Sequence, residues 1–127
     1  EALPDEEKLI LETARMIKIG ILQQNSFDKI DTYCSPEKQF KLLQLLFTFY
    51  NLGIQSLKDG VSLIDIRNMP IVSSLLKARM DIPDDKLEQL DQLSKTMNEQ
   101  FKNIKRLKEE NLKKGNPVLS MDVKKKN

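Results

Sequence analysis

Proline and glycine cut this chain into helix-length pieces, and within each piece apolar residues recur at three- and four-residue steps. That spacing sets them on one helical face, and no stretch alternates with the two-residue period of a strand. Pro4, followed by Asp5, Glu6 and Glu7, is a helix start: proline suits the first turn, and negative charge opposes the positive end of the helix dipole. Ile10, Ala14, Ile17 and Ile21 then predict the buried face of a first helix ending near Gln23 or Gln24. Gly20 weakens its last turn by about 1 kcal/mol relative to alanine. Ser35, Pro36 and Glu37 open a second helix, with serine as N-cap and proline at the first helical position. Phe40, Leu43, Phe47, Tyr50, Ile54 and Leu57 form its expected buried stripe, and Leu42, Leu45 and Leu46 widen it toward packing on more than one side.

Asp59-Gly60 ends that helix. Residues 62–80 are again apolar but interrupted at Asn68, Met69 and Pro70, which predicts a short turn and then a helix from about Met69. Pro83-Asp84-Asp85 restarts the chain as a long helix. Its Leu87, Leu90, Met97, Phe101 and Ile104 approach a heptad seam, and it runs to about Lys114 before Gly115 and Pro117 stop it. The expected fold is all-α: a bundle of four to five helices with short connections, a long C-terminal helix and a loose basic tail. Residues 1–115 form the domain and 116–127 the tail.

Composition narrows the chemistry. The 127 residues fit one domain and include neither histidine nor tryptophan. Without histidine the commonest general base and the usual zinc ligand are missing, and no carboxylate cluster suggests a metal. The lone Cys34 has no histidine to activate it; it reads as a small, partly buried thiol in a reducing, cytosolic setting. No apolar run approaches the ~20 residues needed to cross a bilayer. The chain opens at Glu1 without an initiating methionine and with no signal-peptide pattern, and so reads as a fragment. Its net charge is +2, with basic residues gathered late at Lys102, Lys105, Arg106, Lys108, Lys113, Lys114 and Lys124 to Lys126. Such an end is a solvated helix terminus or a site for phosphate polymers or anionic lipid; no aromatic follows Phe101 to stack on bases, so no nucleic-acid partner is expected.

The least ordinary segment is residues 21–28. Gln23, Gln24, Asn25 and Ser26 close an amphipathic helix, and the aromatic Phe27 follows in a polar loop. One reading is structural: Asn25 takes a left-handed C-cap conformation and Phe27 plugs the bundle. The other is a flat apolar wall beside amides, suited to an uncharged heterocycle such as adenine.

Three blocks here resemble the catalytic A subunits of V-type and A-type ATPases. Those subunits carry Phe-Leu-Gln-Gln-Asn-Ala-Phe-Asp, then a Tyr-Cys-Pro-x-Glu-Lys-Gln stretch, then Leu-Thr-Phe-Tyr. This chain has Leu22-Gln23-Gln24-Asn25-Ser26-Phe27-Asp28, then Tyr33-Cys34-Ser35-Pro36-Glu37-Lys38-Gln39, then Phe47-Thr48-Phe49-Tyr50. The match is strong over about residues 8–50; the later helices agree only in pattern. Ile21 stands where the family has an aromatic, and Ser26 where it has alanine.

The resemblance implies the C-terminal helical domain of the catalytic A subunit of a rotary ATPase or ATP synthase. It implies an adenine wall at Phe27 with Gln24, Asn25 and Ser26 on its rim. ATP or ADP with Mg2+ would bind in the full-length subunit, its phosphates held by a preceding core with a Gly-x-x-x-x-Gly-Lys-Ser/Thr loop. The chain alone is then expected to be inactive and to bind no nucleotide tightly, with no catalytic or metal-ligating residue of its own. The implied partners are B subunits of the hexameric head and central-stalk rotor subunits, in a cytoplasmic assembly peripheral to the membrane that couples nucleotide state to ion transport. The start of the chain, Leu3 to Leu9, also resembles an acidic rotor-facing loop of F-type catalytic subunits. Asp5, Glu6 and Glu7 either cap the helix, touch the rotor, or do both. About eighteen residues at roughly 1.5 Å each span ~27 Å, enough for one helix to link a rotor contact to a nucleotide pocket. The alternative reading is a stand-alone adaptor that binds a partner helix along the Leu87–Ile104 seam.

Overall fold

The computed structural model describes residues 4–22 and 34–113, which are helical almost throughout and contain no strand. α1 (Asp5–Ile17) runs on into a single π-helical turn, Lys18–Leu22, which contains Gly20. α2 (Pro36–Lys58) is followed by the one-turn α3 (Leu63–Arg67), α4 (Pro70–Asp81), a 3₁₀ turn at Asp84–Lys86, and the long α5 (Glu88–Lys113). The all-α bundle expected from the sequence is the fold found. Residues 114–127, which include the expected tail, lie outside the described residues.

The punctuation acts as read. Ser35 caps α2 by accepting the Lys38 N–H at 3.1 Å, with Pro36 at the first helical position. Gly60 ends α2 at φ 98°, a left-handed conformation that disfavours any side chain. There the N–H groups of Gly60 and Val61 return to the carbonyls of Leu57 and Ser56, closing a Schellman motif under the buried Val61. Pro70 starts α4, as the break at Asn68 to Pro70 requires.

Neighbour contacts fix the helix directions. Leu9 of α1 packs at Gly53, near the end of α2, so these helices are antiparallel. Lys38 at the start of α2 meets Arg79 at the end of α4, so that pair is antiparallel too. Lys41 pairs with Asp91 at 3.9 Å and Lys105 with Asp59 at 3.4 Å, so α2 and α5 run together. The core lies between them, with Phe49 and Phe101 tilted against each other at 5.7 Å between ring centroids.

Two expected faces need correction. On α1, Ile10 and Ala14 are exposed; Leu9, Glu12, Thr13 and Met16 are buried instead. Ile21 is buried as expected, within the π turn that continues α1. On α2, Phe40 and Phe47 of the expected stripe are exposed; its Leu43, Tyr50, Ile54 and Leu57 pack half-buried against the core, and the residues expected to widen it, Leu42, Leu45 and Leu46, are fully part of that core with Phe49. The cause is Gly53. A Cβ there would lie 2.8 Å from Leu9 Cδ2, so glycine leaves a notch into which α1 seats this leucine, and a side chain there would require Leu9 to shift. The α5 seam is spent inside the bundle: Leu90, Met97 and Phe101 are buried, Leu87 and Ile104 half-buried. That takes away the surface on which an adaptor would bind a partner helix. No helix among the described residues is long and apolar enough to cross a membrane.

Candidate functional site

Of the residues singled out by sequence, Gln24, Asn25, Ser26 and Phe27 lie outside the described residues. Their flanks are described, and both rest on α4. On the upstream side, Ile21 is buried, and Gly20 lies against the α4 backbone, where an added Cβ would sit 3.5 Å from the Leu75 carbonyl oxygen and 3.6 Å from Leu76 Cα. On the downstream side, Cys34 is half-buried against the core, the partly buried thiol expected from the sequence.

Past Cys34 comes Lys38, which is buried although lysine is among the residues most rarely found inside. Its ammonium donates to the Arg79 carbonyl at 2.7 Å and faces Asp84 Oδ1 at 3.8 Å. The same Asp84 oxygen accepts the Ser35 N–H at 3.5 Å. The need for a buried cation is local. Arg79 sits in the last turn of α4, and the residue four positions on is Pro83, which has no N–H to give its carbonyl. Lys38 supplies that donor from another helix, with its positive charge at the negative end of the α4 dipole.

The opposite end of α4 is held in the same way. Met69 offers no side-chain cap, and Gln100 Oε1 of α5 accepts the Ile71 N–H at 2.9 Å. α4 is therefore fastened at one end by α2 and at the other by α5.

Asp5, Glu6 and Glu7 form the exposed first turn of α1, where none has an ion-pair partner among the described residues. Pro4 precedes them without a side-chain cap, so their charge is the main polar complement to the open helix end. Two turns on, Glu12 is nearly buried and holds Arg15 at 2.7 Å and Arg67 of α3 at 3.8 Å. The Glu12 hydrogen bond raises Arg15 above the ordinary arginine range against the opposing effect of desolvation. Beside it, Thr13 Oγ1 is buried with no hydrogen-bond partner among the described residues.

A groove of about 230 Å³ between α2 and α5 is lined by Lys41, Gln44, Thr48, Asp91 and Ser94 over Leu45 and Leu90. It has no aromatic wall, which makes it a poor seat for a base. Among the described residues, no group of three or more His, Cys, Asp or Glu side chains could hold a metal ion.

Sequence reasoning missed Lys38, Glu12 and Gln100. A signal existed for the first two. Lys38 precedes Leu42 and Leu45 by four and seven residues, and Glu12 lies between Leu9 and Met16, so each is a charge set on a buried apolar face.

Residues 1–66 match the family model described as the C-terminal domain of V and A type ATP synthase, more than half of the chain. The chain belongs to this family. Its relatives include the A subunit of an A-type ATP synthase from Hyperthermus butylicus, 41% identical over 99 residues, covering 76% of the chain and 16% of the relative. A V-type ATP synthase alpha chain of Halothermothrix orenii is 34% identical over 104 residues, covering 82% of the chain and 18% of the relative. The corresponding A-type protein of Staphylothermus marinus reaches 47% over 85 residues, or 66% and 14%. The chain thus spans less than a fifth of the length of these relatives. The resemblance drawn from the three motif blocks is borne out: this is a V/A-type ATP synthase C-terminal domain, of the kind found in A subunits. The blocks themselves, residues 22–50, fall within the matched stretch.

Proposed function

We propose that this V/A-type C-terminal domain is part of an ATP-hydrolysing or ATP-synthesising A subunit, in which it supplies the adenine wall of the nucleotide site. The observation that carries this reading is the family match over residues 1–66, which includes the segment from Gln24 to Phe27. The chemistry of that segment fits a base and not a polyphosphate. It offers an aromatic face, two amides and a hydroxyl, with no lysine or arginine among them. Phosphates and Mg2+ belong to a preceding core carrying a phosphate loop, and the domain alone hydrolyses nothing.

Coupling to rotation extends the same reading. Asp5 to Glu7 open the run Asp5–Leu22, which is helical throughout, and Phe27 follows it in sequence. A stiff helix between a nucleotide pocket and a rotor converts closure at one end into displacement at the other, a hinge-type transition. The partners on this reading are B subunits of the head and central-stalk subunits, with the assembly peripheral to the membrane and serving ion transport. The gene sequence directly upstream of Glu1 tests the assignment. A phosphate loop in the same reading frame is expected; a start codon immediately before Glu1 would sink it. The isolated domain should show no ATPase activity, and reproducible hydrolysis by pure protein would contradict this assignment of roles.

A further inference from the structure

Glu12 is nearly buried, and arginines from two helices converge on it. Arg15 already satisfies both carboxylate oxygens, donating from Nε at 3.3 Å and from Nη2 at 2.7 Å. Arg67 of α3 adds a second guanidinium, with Nε 3.8 Å from Glu12 Oε1. That distance is too long for a hydrogen bond, and Arg67 has no acceptor among the described residues. Both arginines keep about half of the side chain in solvent, 47% for Arg15 and 53% for Arg67. One carboxylate therefore faces two guanidiniums, and N–H groups of both remain unused. The surroundings add to the surplus of positive charge. Lys8, Leu11, Arg15 and Lys18 recur at three- and four-residue steps and are all exposed, so they line one side of α1 over about 15 Å. On α3, Ile64 lies three residues before Arg67 and shares its face. Leu11 and Ile64, 58% and 65% exposed, thus flank the arginine pair from α1 and α3. Asp65 is two residues from Arg67 and faces another way.

On the reading that this domain works within an assembled head, we infer that the α1–α3 face docks an acidic amphipathic helix of another subunit. Its carboxylates take the unused N–H groups of Arg15 and Arg67, and its apolar side chains cover Leu11 and Ile64. Charge complementarity selects this occupant. A guanidinium presents a planar fork of donors that matches a carboxylate, and two forks side by side hold acids spaced by one helical turn. A basic helix would meet Lys8, Arg15, Lys18 and Arg67 as like charges. A small inorganic anion would use the arginines and leave Leu11 and Ile64 bare. The straight row from Lys8 to Lys18 is a helix ridge, and a second helix packs along such a ridge. This face is distinct from the first turn of α1, where Asp5, Glu6 and Glu7 call for a partner of the opposite charge.

The test uses the full-length protein assembled with its partner subunits, with the photo-crosslinking residue p-benzoylphenylalanine placed at Leu11 or at Ile64, one position at a time. Crosslinks from both positions to one segment of another subunit are expected, and that segment should carry carboxylates at three- or four-residue spacing. Arg67→Gln should cut the crosslink yield about threefold and Arg67→Glu about tenfold or more. Raising the salt from about 50 mM to about 500 mM should lower the parental yield as well. Thermal unfolding of the free full-length subunit separates docking from a merely structural tie. The half-exposed Arg67–Glu12 pair contributes little there, so Arg67→Gln should shift the midpoint by less than about 2 °C. If Arg67→Glu does not assemble, Arg67→Gln and the salt series decide. Absence of a crosslink in an assembled complex overturns the inference, as does a crosslink to a basic or uncharged segment or to the preceding core of the same subunit. A lowered midpoint in Arg67→Gln with parental crosslinking overturns it too, because the arginine would then serve only to join α3 to α1. Failure of the parent protein to assemble at all would remove the assembled-head reading and this inference with it.

Discussion

The two faces of α2 both carry phenylalanine, yet the rings meet different fates. One carries Leu42, Leu45, Leu46 and Phe49 and is the core; the other carries Phe40 and Phe47, which are 61% and 56% exposed. The ring itself does not separate them, since Phe49 is buried while Phe40 and Phe47 stand among the exposed Gln44, Asn51 and Gln55. What separates them is the company that each face keeps. The buried face includes Lys38, Gly53 and Ser56, residues that look like interruptions and are the points of attachment. Gly53 admits Leu9, Lys38 closes the α4 carbonyl, and the carbonyl of Ser56 accepts from Val61. A face is buried where its neighbours can complete it, and α2 has only one such face among the described residues.

The largest expected effect sets the faces directly against each other. Phe49→Ala should cost about 3–5 kcal/mol, because a fully buried ring packed on Phe101 leaves a cavity that the bundle cannot close. Phe47→Ala in the isolated domain should stay within about 0.5 kcal/mol, as an exposed side chain contributes little there. Urea unfolding of the two variants measures the contrast, and equal losses would mean that Phe47 is buried in solution. Next in size is Gly53→Ala. The new methyl must displace a leucine with no exposed surface, and overpacking of this kind costs about 1–3 kcal/mol; an unchanged midpoint would show that the notch is looser than described. Smaller again is Gln100→Ala, which strips the side-chain cap from the start of α4 for about 1 kcal/mol. Thermal unfolding should register it as a modest downward shift, and no shift would indicate that water replaces the amide without loss.

The parts that sequence made legible are those with a local cause. Pro36, Gly60 and Pro70 mark helix boundaries because each restricts its own backbone, and the α5 seam from Leu90 to Phe101 was readable because only one face of that helix is apolar. α1 and α2 each carry apolar residues on more than one side, and period alone cannot rank the sides; which residues are covered depends on contacts such as Leu9 on Gly53 that exist only once the helices are side by side. Lys38 and Gln100 escaped for the same reason, as each answers a need on another helix, 41 and 29 residues away in sequence. The candidate site was legible in a different way. Nothing in the physics of Gln24 to Phe27 alone chooses adenine over a helix cap; the choice came from three blocks in one order, and the family match over residues 1–66 supports the family behind it.

The most direct test of the central claim is ADP and ATP affinity in the full-length protein carrying Phe27→Ala, measured by titration on the assembled head. If the ring is the adenine wall, removing it should weaken binding by about 1–3 kcal/mol, the value of an apolar aromatic face lost from a base. Affinity equal to the parent, in a variant that still assembles, would take Phe27 out of the site and leave this domain as a helical bundle without a part in holding nucleotide.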